Sequence, residues 1–197
     1  MRIDLGIICS YVKSNQDVLD LGCGDGALLS LLRDQKSING VGLENDHEKI
    51  TECIEKNIAV VEHDLNKGLR QFNSNSYDVV IMTLALQAMQ RPDHVLDEML
   101  RIGNECIVTF PNFGHWRARL HLMFYGKMPV SDLLPYQWYD TPNIHFCTVK
   151  DFEKLCVQKN ISIIHKDMVY ENKATSFLCK TYPNLFSETA IYHLTRN

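Results

Sequence analysis

Three glycines at alternate positions, Gly22, Gly24 and Gly26, close the segment "VLDLGCGDGA" behind an apolar run. Without a Cβ, a backbone approaches a ligand closely and turns through conformations other residues avoid. That suits a loop holding a nucleotide where a strand gives way to a helix. Carboxylates accompany the loop: Asp20 stands two residues before the first glycine, Glu44 closes a second apolar run, and Asp64 follows a third. Glu44 lies about 20 residues past the glycines, where a carboxylate reaches ribose hydroxyls in dinucleotide-binding folds. Gly22, Gly24 and Ala27 also fit the G-x-G-x-x-A fingerprint, so a nicotinamide dinucleotide has to be weighed. Asp20 argues against it, because a carboxylate beside the loop repels a pyrophosphate and suits an ammonium group. Ribose and ammonium together point to S-adenosylmethionine. A tight turn without a ligand is the plainer reading of the glycines, and the three acids weigh against it.

A second chemical group follows residue 110. "FPNFGHWRARL" carries His115, Trp116, Arg117 and Arg119, and "MPVSDLLPYQWYDTPNIHFCT" carries Tyr136, Trp138, Tyr139, Asp140 and His145 among three prolines. Transfer of a group to an oxygen or nitrogen acceptor calls for a base, and His115, Tyr139, Asp140 and His145 are the candidates. Each has a structural alternative: His115 at the start of a helix, the other three pinning a Pro-rich loop. Trp116, Tyr136, Trp138 and Tyr139, with arginines nearby, have the composition of an interface hot spot, favoured narrowly over burial in a core. No Ser or Cys sits in a nucleophile elbow, and Cys23 reads as a small filler inside the glycine loop.

These residues need elements to position them. Apolar runs at 17–22, 38–43, 58–63, 77–84 and 105–110 read as strands buried on both faces, separated by helices at 25–34, 46–56 and 91–102 and a short turn near 65–71. The alternation predicts a parallel, doubly wound α/β sheet. Pro92 and Asp93 start the helix whose stripe is Val95, Leu96, Met99, Leu100 and Ile102. Beyond 110, "GHWRARLHLMFYGK" predicts a helix with Trp116, Leu120, Met123 and Phe124 on one side and Gly126 at its end. A Pro-rich loop follows, then a helix at "VKDFEKLCVQKN", a strand at "ISIIHKDMVY" and a closing strand of alternating character at "ETAIYHLTR". With 197 residues and no internal repeat or linker, one domain spanning 1–197 is expected, with a loop-rich insertion at about 111–149.

Composition narrows the partners. The chain is 45% hydrophobic and 22% charged with a net charge of -4, and its only basic cluster is Arg117 and Arg119, so a nucleic-acid partner is not expected. No apolar stretch approaches the roughly 20 residues that cross a bilayer, and the amino terminus lacks a signal-peptide pattern, so no membrane association and a cytoplasmic location are expected. The seven cysteines form no CxxC pair and read as buried, reduced thiols, with no metal site.

"VLDLGCGDG", the acid in "GLEND", "HDL" after the third strand and "YDVVIM" resemble the motifs of class I S-adenosylmethionine-dependent methyltransferases. The resemblance implies a Rossmann-like, mostly parallel seven-stranded sheet with an antiparallel last strand at "AIYHLT" and helices on both faces. It implies S-adenosylmethionine or S-adenosylhomocysteine as the bound cofactor, held by Asp20, Gly22, Cys23, Gly24, Glu44, Asn45, Asp64, Leu65 and Thr83. Glu44 would bond the ribose hydroxyls and Asp64 the adenine amino group, with Gly22 and Gly24 near the methionine moiety and Asp20 helping to place it. A narrower likeness lies in "LQAMQRPDHVLDEMLRIG", "FPNFGHWRARL", "GKMPVSDLLPYQWYDTPNIHFCT" and "DFEKLC", which resemble the MetW family of methionine-biosynthesis proteins from about residue 2 to about 170. The tail from 171 carries no recognised motif. This second resemblance implies action with, or regulation of, a homoserine O-acyltransferase of the MetX type, with S-adenosylmethionine reporting methionine status. A methyltransferase acting on an unidentified small molecule is the alternative, and a nicotinamide-dependent enzyme on the same sheet is the third.

Overall fold

The computed structural model describes residues 3–131, 135–170, 173–174 and 177–196, so 132–134 of the Pro-rich segment and part of the motif-free tail lie outside the described residues. The chain runs α1 (Ile3–Tyr11), β1 (Asp17–Leu21), α2 (Ala27–Lys36), β2 (Asn39–Glu44), α3 (His47–Glu55), β3 (Ala59–Glu62) and β4 (Tyr77–Thr83). It continues through α4 (Pro92–Ile102), β5 (Gly103–Pro111), α5 (Trp116–Tyr125), α6 (Val149–Gln158), β6 (Ile161–Tyr170), β7 (Lys173–Ala174), α7 (Phe177–Thr181), α8 (Pro183–Phe186) and β8 (Thr189–Arg196). A 3-10 turn at Leu65–Lys67 takes the place of the expected short turn.

The strands form one sheet in the order β3-β2-β1-β4-β5-β8-β6-β7. β1 pairs in parallel with both β2 and β4, and β4 with β5, as apolar runs joined by helices demand. β8 enters between β5 and β6 and runs antiparallel to each. The expected architecture therefore holds, with a two-residue eighth strand, β7, added on the edge of β6. The alternation in β8 has a different meaning from that of a half-solvated strand. Ala190, Tyr192 and Leu194 join the core under α4 and α6, while Ile191 joins the core under α1 and α2, so both faces are covered.

Caps place the helix ends. Pro92 stands in the first turn of α4, Asp46 accepts from the backbone of Glu48 at 2.9 Å to start α3, and Thr148 accepts from Asp151 at 3.2 Å to start α6. α2 begins at Ala27, two residues later than the pattern predicts, because Gly26 holds φ at 72°. α1 had no counterpart among the expected elements. It seals one face of the sheet with Ile8 and Val12, and the Tyr11 ring stacks 5.4 Å from His165 and 5.2 Å from His193.

On the other face Phe152 of α6 packs 4.9 Å from Phe110 and 4.7 Å from Tyr192, ring centre to ring centre. All three rings are fully buried, so truncating one leaves a cavity. Phe152→Ala is expected to cost about 3–5 kcal/mol. Urea unfolding tests this: the midpoint falls with little change in slope, and an unchanged midpoint would show that α6 contributes no such packing.

Candidate functional site

The strand order reverses between β1 and β4, since the chain builds outward to β3 before returning to lay β4 against β1. In open α/β sheets, ligands bind at the carboxyl ends of the strands at this crossing point. Here the loop after β1 carries Gly22, Gly24 and Gly26 with φ of 73°, 55° and 72°, all in the left-handed region where a side chain is strained. The loop is pinned to β2: the N–H groups of Gly22 and Cys23 donate to the Leu43 carbonyl at 2.8 and 3.1 Å. Glu44 then ties the two loops together. Its carboxylate accepts from the backbone of Gly24 at 2.9 Å, Asn45 at 2.8 Å and Asp46 at 3.1 Å. A carboxylate offers about four acceptor positions, so these three bonds fix its direction and leave capacity for a further donor.

Two further edges close on the same place. Asp64 caps the 3-10 turn by accepting from Asn66 at 3.0 Å, which sets Leu65 beneath the loop; a Cβ at Gly22 would lie 4.0 Å from Leu65 and 3.5 Å from Ala85. Thr83 ends β4. Leu84 behind it adopts φ 52°, held there because its N–H donates to both the carbonyl and the hydroxyl of Thr109, each at 3.0 Å. A left-handed leucine is costly, and such backbone persists where its surroundings over-determine it, commonly beside a ligand. The structure thus brings Asp20, Gly22, Cys23, Gly24, Glu44, Asn45, Asp64, Leu65 and Thr83 to one edge of the sheet.

Asp20 is the unusual member. Its side chain is 1% exposed, and neither carboxylate oxygen has a hydrogen-bond partner among the described residues. Burial pushes its carboxyl up to about 7, and the negative charge of Glu44 adds to the effect. A cation seated against Asp20 would reverse this penalty. Cys23, by contrast, packs its sulfur 3.9 Å from that of Cys53, and burial pushes its thiol up, away from the thiolate a nucleophile needs. All seven cysteines are free and six are buried.

The candidates after β5 separate into three places. His115 is buried at the start of α5, its ring 5.6 Å from Tyr170 and 5.8 Å from Trp116. Tyr139 and Asp140 lie on the exposed surface. His145 lies nearest the sheet edge: its N–H donates to the Gln87 carbonyl at 3.1 Å, and its buried Nε2 has no partner among the described residues. Gln87 itself is 3% exposed, and its amide nitrogen donates to the Leu84 carbonyl at 2.9 Å and to Asn143 Oδ1 at 3.0 Å while its Oε1 is left without a partner.

Gln87, Leu84 and Asn143 went unread in the sequence, although a lone Gln within "LALQAM" is the polar residue that an apolar context should flag. Asn112 was missed as well. It is buried and accepts from Gly114 at 2.9 Å and Val149 at 3.3 Å while donating to the Ser187 carbonyl at 2.9 Å, so it binds the root of α5 to α6 and α8. The two arginines are structural: Arg117 lies over Trp116 and Tyr170 and pairs with Glu188 at 3.6 Å, and Arg119 donates to the Gly114 carbonyl.

A mostly parallel sheet with an antiparallel strand inserted beside its last parallel one, and a glycine loop at the reversal, defines the class I methyltransferase fold. An S-adenosylmethionine-dependent methyltransferase from Archaeoglobus fulgidus superposes on it with a TM-score of 0.70 over 99% of this chain and 92% of that one, at 16% identity. The [4+2]-cyclase SpnF superposes with a TM-score of 0.68 over 98% of this chain and 80% of that one, at 14% identity. The chain belongs to the family described as methionine biosynthesis protein MetW, whose model matches residues 2–194. The bifunctional methionine biosynthesis protein MetXA/MetW of Rhodopirellula baltica is 31% identical over 97% of this chain. This chain spans 32% of that relative's length. Among the described residues, no helix is long and apolar enough to cross a membrane.

Asp20 makes the site testable without any ligand. Its carboxyl is raised from the unfolded value of about 4 to about 7, so the protein loses stability as pH rises between these values. Above pH 7 the loss is complete, on the order of a few kcal/mol. Ligand-free Asp20→Asn is therefore expected to melt with the wild type near pH 4 and increasingly above it up to pH 7. Parallel melting curves across that range would contradict an unpaired buried charge.

Proposed function

We propose that the site binds S-adenosylmethionine, or S-adenosylhomocysteine, and that the chain works with a homoserine O-acyltransferase of the MetX type, adjusting its activity to methionine status. The buried Asp20 carboxylate at the strand-order reversal, unpartnered among the described residues, carries the first half of this reading, because it matches the ammonium group of the ligand's methionine end. Glu44, held by three backbone N–H groups, accepts from the ribose hydroxyls. Asp64 takes the adenine amino group, Leu65 and Asn45 flank the adenosine, and Gly22, Cys23, Gly24 and Thr83 surround the methionine end. When bound, S-adenosylmethionine supplies an electrophilic methyl group on a sulfonium. Its demethylated product fits the same contacts.

The partner half rests on the fused relative, in which a MetXA part and a MetW part share one polypeptide. Regulation requires the ligand to have different affinities for two states of the complex, and each ligand then shifts the other's binding by the same factor. The test is to copurify the chain with the acyltransferase of the same organism and assay acyl transfer with and without S-adenosylmethionine. The expected outcome is a change of rate on adding the chain and a further change on adding the ligand. Identical rates in all mixtures would refute the coupling. Glu44→Ala is expected to weaken S-adenosylmethionine at least tenfold by calorimetry, since bonds to a charged group are worth about 1.5–3 kcal/mol. Unchanged affinity would displace the ribose from Glu44, and thermal stabilisation by NAD with none by S-adenosylmethionine would overturn the cofactor itself.

One observation favours methyl transfer to a small molecule as the second reading: among the described residues the buried Gln87 Oε1 and His145 Nε2 lack partners beside Leu84, as a polar acceptor site would. It predicts that labelled cofactor marks an acceptor in cell extract and that His145→Ala abolishes the label.

A further inference from the structure

We propose that α5 and the described residues 127–131 and 135–146 form the surface on which the acyltransferase docks; this rests on the partner reading above and gives it a location. No residue of α5 is buried. Of the eighteen large apolar side chains exposed among the described residues, eleven fall between Leu120 and Phe146, with Phe124 at 72% and Trp138 at 75%. Scattered apolar residues on a surface are ordinary, but a concentration of this kind marks a surface built to be covered. The two parts of the stretch are joined: His121 of α5 lines a groove of about 590 Å³ together with Lys127, Met128, Val130, Gln137 and Trp138.

The surface has a firm base. Asn112 ties its root to α6 and α8, a Cβ at Gly114 would lie 2.7 Å from Asn184, and Arg117 is stacked on Trp116 and Tyr170. At its other end Phe146 packs 4.6 Å from the buried Phe113. The stretch is thus fastened to the folded body at both ends. A standard interface takes about 20–30 residues a side, which a single stretch of this length can supply.

Covalent connectivity in a relative selects the occupant. Residues 116–146 contain Arg117, Arg119 and Lys127 against Asp132 and Asp140, and the two arginines are engaged with Glu188 and the Gly114 carbonyl, so charge is close to balanced on this stretch. The Rhodopirellula baltica relative places its MetXA and MetW parts on one chain, which raises the concentration of each at the other's surface. The face also communicates with the ligand site. Gln87 donates to the Leu84 carbonyl and to Asn143, and accepts from the His145 N–H, so the strained end of β4 is bonded to the docking segment.

The experiment titrates the purified acyltransferase of the same organism with the full chain and with Phe124→Ser, Trp138→Ser and, as a control on an exposed apolar residue of α6, Val157→Ser. Melting temperature and S-adenosylmethionine affinity establish that each variant is folded. The expected result is binding by the wild type and by Val157→Ser and a loss of at least tenfold in each of the other two. If all variants bind alike, the surface is wrong while the partner stands. If the wild type does not bind, the partner reading falls and the surface with it. If instead the wild type self-associates and Phe124→Ser and Trp138→Ser are monomeric, the occupant is a second copy and the proposal is overturned.

Discussion

A carboxylate without a partner among the described residues, closed off from water at the centre of a sheet, is the constraint around which this protein is arranged. Asp20 follows two fully buried residues of β1 and sits within reach of the Glu44 charge, so its own ionisation is opposed by burial and by a like charge. The neighbouring distortions have the same character: three left-handed glycines turn the chain away from the carboxyl end of β1, and Leu84 is forced into a left-handed conformation by two bonds to Thr109. Local structure that opposes its own stability at one spot marks a place shaped for something that binds.

Around that spot the molecule divides by rigidity of role. The half up to β4 aims its acids and loops at the reversal of strand order. After β5, the chain builds a firm root through Asn112 and Gly114 and then exposes apolar side chains that no part of the described structure covers. The sheet does not dictate the chemistry. A methyltransferase and a [4+2]-cyclase share this fold, so reaction and partner have to be argued from the site and from the second half.

The first half was legible because its signals are local. Glycine spacing, an acid at a strand end and continuous apolar runs determine the loop, Glu44 and the parallel strands with little help from distant residues. α1 was illegible for a physical reason: "IDLGIICSY" is apolar on most sides and shows no helical stripe to separate it from a strand. The left-handed Leu84, the buried Gln87 and the hub at Asn112 depend on contacts between residues 25 to 75 positions apart, which no local pattern encodes. In α5 the helix and its Gly126 cap were readable, yet its exposure was not, because an apolar helix looks the same whether its own core or a partner covers it.

If Asp20 seats a cation, ligand affinity depends on pH through its carboxyl. Calorimetric titration of the wild type with S-adenosylmethionine from about pH 5.5 to 7.5 is expected to show affinity rising as Asp20 gives up its proton near pH 7, with protons released on binding in the acidic half of the range. Affinity and proton exchange that stay flat across that range would show that Asp20 does not face the ligand's ammonium group.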